Sequence, residues 1–91
     1  MDHWFQRNPR VEIAPLDDDV ILFDPPSSKF LILNATGSFL WELLNEPQTA
    51  NDLAAALCRR YSGIEFATAV RDVGEILEQM LSHELVTGSN A

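Results

Sequence analysis

Three short apolar strands followed by three amphipathic helices predict an α+β domain, with the helices laid on one side of a small antiparallel sheet. Two observations carry that reading. Apolar residues alternate or run in short blocks as far as residue 33, and after it they recur at helical spacing. The change falls at Asn34-Ala35-Thr36-Gly37, an Asn-x-Thr able to end a strand and cap a helix. With 91 residues, 46% of them apolar, the chain is a single small domain that can still bury a core.

Residues 1–9 show no period and are broken by Pro9, so they read as a flexible N-terminal arm. Arg10-Val11-Glu12-Ile13-Ala14 alternates as a half-exposed strand with Val11 and Ile13 inward, and Pro15 puts it on an edge. Asp17-Asp18-Asp19 reads as a turn. Val20-Ile21-Leu22-Phe23 forms the second strand, and Asp24-Pro25-Pro26-Ser27-Ser28 a loop. Lys29-Phe30-Leu31-Ile32-Leu33 is the third strand, and it is apolar on both faces: Phe30 and Ile32 on one, Leu31 and Leu33 on the other. Such a strand is either buried on both sides or left open for a ligand. The residues alone weigh the two evenly.

The first helix carries Phe39, Leu40, Leu43 and Leu44 on its apolar stripe, with Trp41 off its centre, and Pro47 stops it. Thr49 caps the second helix, with Asp52 three residues on as the capping-box acid. Leu53, Ala54, Leu57 and Tyr61 form its inner face, and Ser62-Gly63 ends it. The third helix runs over residues 65–82. Its stripe is Phe66, Val70, Val73, Leu77 and Met80, flanked by Ala69 and Ile76 on one side and by Gly74 and Leu81 on the other. Residues 87–91 read as a polar tail, which leaves residues 10–86 as the folded domain.

The formal net charge of −8 argues against nucleic acid, whose phosphates need clustered Lys and Arg. It suits a basic or neutral peptide partner, and equally plain solubility. Cys58 is alone, which excludes a disulfide scaffold. No apolar run is long enough to cross a membrane, and the first residues lack the pattern of a signal peptide, so the expected location is cytoplasmic. His3, Cys58 and His83 lie in separate segments without ligand spacing, and no nucleophile–base pair or phosphate loop is present. A non-catalytic protein without cofactor or metal is expected.

The ordered set Asp19-Val-x-Leu22-x-Asp24-Pro25, Leu33-Asn34-x-Thr36, Trp41-x-Leu43-Leu44, Thr49-x-x-Asp52-Leu53, Arg60-Tyr61, Asp72-Val73 and Leu77 resembles the PqqD-like proteins. These are small peptide-binding domains also called RiPP recognition elements. The resemblance spans roughly residues 10–86. It implies a winged-helix-like fold with a three-stranded antiparallel sheet and three helices. It also implies binding of the leader of a ribosomally made precursor peptide, which adds as a strand beside the third strand, in the groove between that strand and the third helix. The partner would be a separate modifying enzyme, either a radical S-adenosylmethionine protein or a leader peptidase. Carried onto this chain, the implied peptide site is Lys29, Phe30, Leu31, Ile32 and Leu33 on the strand, with Val70, Arg71, Gly74, Leu77, Glu78 and Leu81 on the helix. The alternative reading is a winged-helix DNA-binding regulator. It is disfavoured by Glu65, Asp72, Glu75, Glu78 and Glu84 set against Arg71 alone on and around the third helix. An edge-paired or domain-swapped homodimer is a third reading that the sequence leaves open.

Overall fold

The computed structural model describes residues 3–90. Six strands and three helices follow one another: β1 (His3–Arg7), β2 (Glu12–Leu16), β3 (Asp19–Asp24), β4 (Lys29–Leu33), α1 (Ala35–Leu43), β5 (Gln48–Thr49), α2 (Ala50–Arg60), α3 (Phe66–Ser82) and β6 (Val86–Asn90). The expected meander is the sheet β2-β3-β4, antiparallel throughout. Asp17 turns its first hairpin at φ 56°, within the reach of an Asp that bonds its own backbone. Pro15 sits on the edge strand β2 as expected.

A second sheet, β5-β1-β6, was not legible in advance. His3–Arg7 is no loose arm, because Phe5 pairs with Gly88 and Arg7 with Val86 in antiparallel register. Nor do the residues after 86 trail as a tail, since they supply the partner strand. Met1 and Asp2 of the expected arm and Ala91 of the expected tail lie outside the described residues.

The helices begin where the sequence puts their caps. Asn34 Oδ1 accepts from the Gly37 N–H at 3.0 Å. Thr49 Oγ1 accepts from the Asp52 N–H at 3.0 Å while Asp52 accepts from the Thr49 N–H at 3.1 Å, which closes the capping box. After α2, Gly63 takes φ 84°. After α3, Glu84 takes φ 59°, the Glu84 N–H donates to the Leu81 carbonyl and the Leu85 N–H to that of Met80. This six-to-one closure brings two fully buried side chains, Met80 and Leu85, together at the helix end.

The core sits between the β2-β3-β4 sheet and the helices. Leu22 and Leu33 enter it from the sheet, Leu40, Trp41 and Leu44 from α1, Leu53 and Leu57 from α2, and Val73, Leu77 and Met80 from α3. Three expectations shift. Ile13, read as inward, is exposed, because no helix covers the edge strand β2, which is exposed along its whole length. Trp41, read as off the stripe, is buried as part of the core, and Arg7 of β1 lays its guanidinium 5.6 Å from the ring centroid. Phe66, read as core, is exposed at the start of α3. Among the described residues no layer covers the opposite face of the β2-β3-β4 sheet: Phe23, Phe30 and Ile32 are all substantially exposed there.

Candidate functional site

Among the described residues strand β4 hydrogen-bonds to β3 alone, with Phe30 opposite Phe23 and Ile32 opposite Ile21. Among the described residues no strand lies on its other side. Its outer row of N–H and C=O groups is therefore an open template for another chain. The opposite edge of the sheet is blunted: β2 carries Pro15, which has no N–H to offer. Lys29-Phe30-Leu31-Ile32-Leu33 contains neither Pro nor Gly.

Helix α3 runs beside this edge, antiparallel to β4. At one end Lys29 Nζ donates to the Ser82 carbonyl at 3.5 Å and pairs with Glu84 at 3.3 Å. At the other, Ile32, Leu33, Asn34 and Gly37 face Ile76 and Gln79 across a cleft of about 230 Å³. Gln79 also borders a second cleft of about 390 Å³ with Glu75, Glu78 and Ser82. The two clefts meet at Gln79 and are taken together as a trough: Ile32, Leu33 and Ile76 line its strand end beside Asp19, and Glu75 and Glu78 make it acidic along the outer side of α3. Gly37 lets α1 start this close to β4, since a Cβ there would stand 3.1 Å from Leu33 Cδ2 and 3.2 Å from Leu33 Cβ.

The sequence-read site divides accordingly. Lys29, Phe30, Leu31, Ile32 and Leu33 make up the edge strand, and Glu78 borders the trough. Leu77 is core, and Val70 packs half-buried against it. Arg71 is exposed, 3.8 Å from Asp72. Gly74 and Leu81 are exposed; at an advance of about 100° per residue they lie roughly 140–160° around the helix from Ile76, beside Glu78 at the far border of the trough. The trough uses the other flank of the stripe: Ile76, Gln79 and Ser82, with Glu75. Ile76 was visible in the sequence as a flanking apolar residue. Helical periodicity finds a stripe but not which flank meets the strand.

The remaining polar chemistry is structural. Asp24 is fully buried beneath the β3–β4 turn. Ser27 Oγ donates to Asp24 Oδ2 at 2.6 Å, and Arg10 donates through Nε to Oδ1 at 2.9 Å. These bonds, Ser27 first and Arg10 second, hold its carboxyl below the usual range against the opposing effect of burial. Cys58 donates weakly to the Ile64 carbonyl. Among the described residues no three His, Cys, Asp or Glu side chains converge as metal ligands. No described helix is long and apolar enough to cross a membrane. A further cleft of about 520 Å³ opens between Arg7, Trp41 and Ile13, away from the edge of β4.

Comparison with known proteins bears on this arrangement. The family profile described as coenzyme PQQ synthesis protein D (PqqD) matches residues 19–86. Among solved structures, TbiB1 in complex with the TbiA(beta) leader peptide is 29% identical over 94% of this chain and 99% of its own, with a TM-score of 0.78. Lasso peptide synthetase B1 complexed with the leader peptide is 23% identical over 91% of this chain and 96% of its own, with a TM-score of 0.75, and shows likeness of fold. No curated protein sequence matches.

Proposed function

The chain belongs to the PqqD family, and from that premise, joined to the open edge of β4, we propose that it binds the leader of a ribosomally made precursor peptide and presents it to a separate modifying enzyme. The observation that carries the reading is the unpaired edge of β4 standing beside a trough. A leader laid there as a fourth strand forms main-chain bonds to residues 29–33. Every second side chain then drops toward Ile76 and Gln79. Main-chain bonding supplies affinity, and the trough supplies choice of sequence. Glu75 and Glu78 on its outer side favour a leader with a basic residue at that register. TbiB1, the relative at 29% identity, was solved with a leader peptide, which supports the same use here.

The protein acts as a non-catalytic carrier in the cytoplasm, and its partner is a radical S-adenosylmethionine enzyme or a leader peptidase. A DNA-binding role is not favoured: the exposed side of α3 presents Glu75 and Glu78, and its one cation, Arg71, is already beside Asp72.

Amide hydrogen exchange with and without the leader encoded beside the gene tests the proposal. Protection should rise along β4, at the amides that β3 leaves free, and stay unchanged along β2. A leader that binds without protecting β4, or that protects β2 instead, overturns the edge-strand site.

A further inference from the structure

We propose that the outer face of the β2-β3-β4 sheet is the docking surface for the modifying enzyme, and that the bound leader completes it; this rests on the leader-binding reading above. The face is apolar and uncovered. Phe30 is 53% exposed, Ile32 49%, Leu16 42% and Phe23 38%. The register sets Phe23 beside Phe30 and Ile21 beside Ile32, so these side chains form one patch on a twisted but continuous surface. A small domain rarely leaves a patch of this kind without use.

Charge selects the occupant. On the same face Glu12 stands opposite Phe23, and Asp19 stands opposite Leu16. Asp17 and Asp18 extend that acidic border around the hairpin. Lys29, the cation of β4, pairs across to Asp24 and belongs to the other face. The patch therefore has an apolar centre and an anionic rim. A second copy would bring one anionic rim against another. A protein surface with an apolar centre ringed by Lys and Arg fits both parts.

Continuity with the leader site says why that protein should be the enzyme. A strand added beside β4 lies about 4.8 Å from it and sends alternate side chains to the outer face. Those side chains extend the row of Phe23 and Phe30. An enzyme seated on this face would touch carrier and leader together, and would bind the loaded carrier better than the empty one.

The test uses the full chain, the cognate leader and the modifying enzyme encoded in the same gene neighbourhood. Enzyme affinity of the wild-type chain should rise with leader present and fall with salt. Phe23→Ser, on the central strand and away from the edge, should weaken enzyme binding at least tenfold and leave leader affinity within twofold. Asp18→Lys, in the exposed hairpin, should weaken enzyme binding and flatten its salt dependence while the fold is untouched. Unchanged enzyme affinity in both variants overturns the docking face. So does self-association of the wild-type chain that Phe23→Ser abolishes, since the face then belongs to a second copy. Failure of the wild-type chain to bind leader at all strikes the leader-binding reading instead.

Discussion

Asp24 shows how a single side chain can be decisive and still hard to read from sequence. In the sequence it is one acid before two prolines. In the fold it is the buried anchor that ties Arg10, ahead of β2, to Ser27 in the β3–β4 turn. Its position beneath the turn depends on the hairpin closing, which the Ser28 N–H bond to the Asp24 carbonyl at 2.8 Å accomplishes. No local pattern announces that closure. A pH dependence follows from the lowered pKa. The unfolded carboxyl takes up a proton near pH 4, while the folded one resists until lower pH. Below pH 4 the unfolded state binds more protons, so stability falls as pH drops through that window and is complete above it. Asp24→Asn should lower stability at pH 7 and flatten the loss below pH 4. Urea midpoints measured across that range check it, and an unchanged pH slope in the variant removes Asp24 as the source.

Among the elements, α3 was legible in its length, and three of its five stripe positions, Val73, Leu77 and Met80, are core. Its use was legible only in part. Periodicity gave the buried side, and the caps of α1 and α2 were readable because Asn34, Thr49 and Asp52 bond their own backbone neighbours. Which flank of α3 faces β4 depends on how the whole helix layer is rotated on the sheet, and nothing local encodes that rotation. Gly74 makes the distinction testable. It lies mid-helix, it is exposed, and a Cβ there would meet no atom within 4 Å. Gly74→Ala should therefore stabilise the fold by about 1 kcal/mol through helix propensity alone. Because Gly74 sits far around the helix from Ile76, leader affinity should stay within twofold of wild type. Thermal melts and calorimetric titration read the two effects separately. A large loss of affinity in a stabilised variant would place the peptide on the Gly74 flank, with Gly74 and Leu81 as contacts.

At the scale of the whole molecule the two sheets have different tasks. The β2-β3-β4 sheet is built from neighbours in sequence, so alternation and turn residues reveal it, and it carries both the open edge and the apolar outer face. The β5-β1-β6 sheet joins the two ends of the chain; Thr87 reaches Gln6, 81 residues away. No sequence pattern shows such a pairing, because β1 has only Trp4 and Phe5 to mark it and β6 is mostly polar. Its effect is to close the domain. The Arg7 N–H donates to the Leu44 carbonyl at 2.9 Å, the Asn8 N–H to that of Leu85 at 2.9 Å, and Arg7 covers Trp41. Removing residues 1–7 takes away β1, the central strand of that sheet, and the partly buried Phe5 that packs on the core. Full burial of a Phe is worth about 1.5–3 kcal/mol, so loss of this partly buried one costs on the order of 1 kcal/mol, and for a domain of this size each kcal/mol is worth roughly 4–8 °C of melting temperature. The truncated chain should melt at least ~4 °C lower. Trp41, then the one remaining tryptophan, should shift its fluorescence to the red as its cover is lost. Below the new melting point the edge of β4 and its trough remain, so leader affinity should hold within about threefold. A truncated chain that melts like the wild type would show that the terminal sheet contributes nothing to closing the core. One that stays folded but no longer binds leader would place the terminal sheet in the binding site itself.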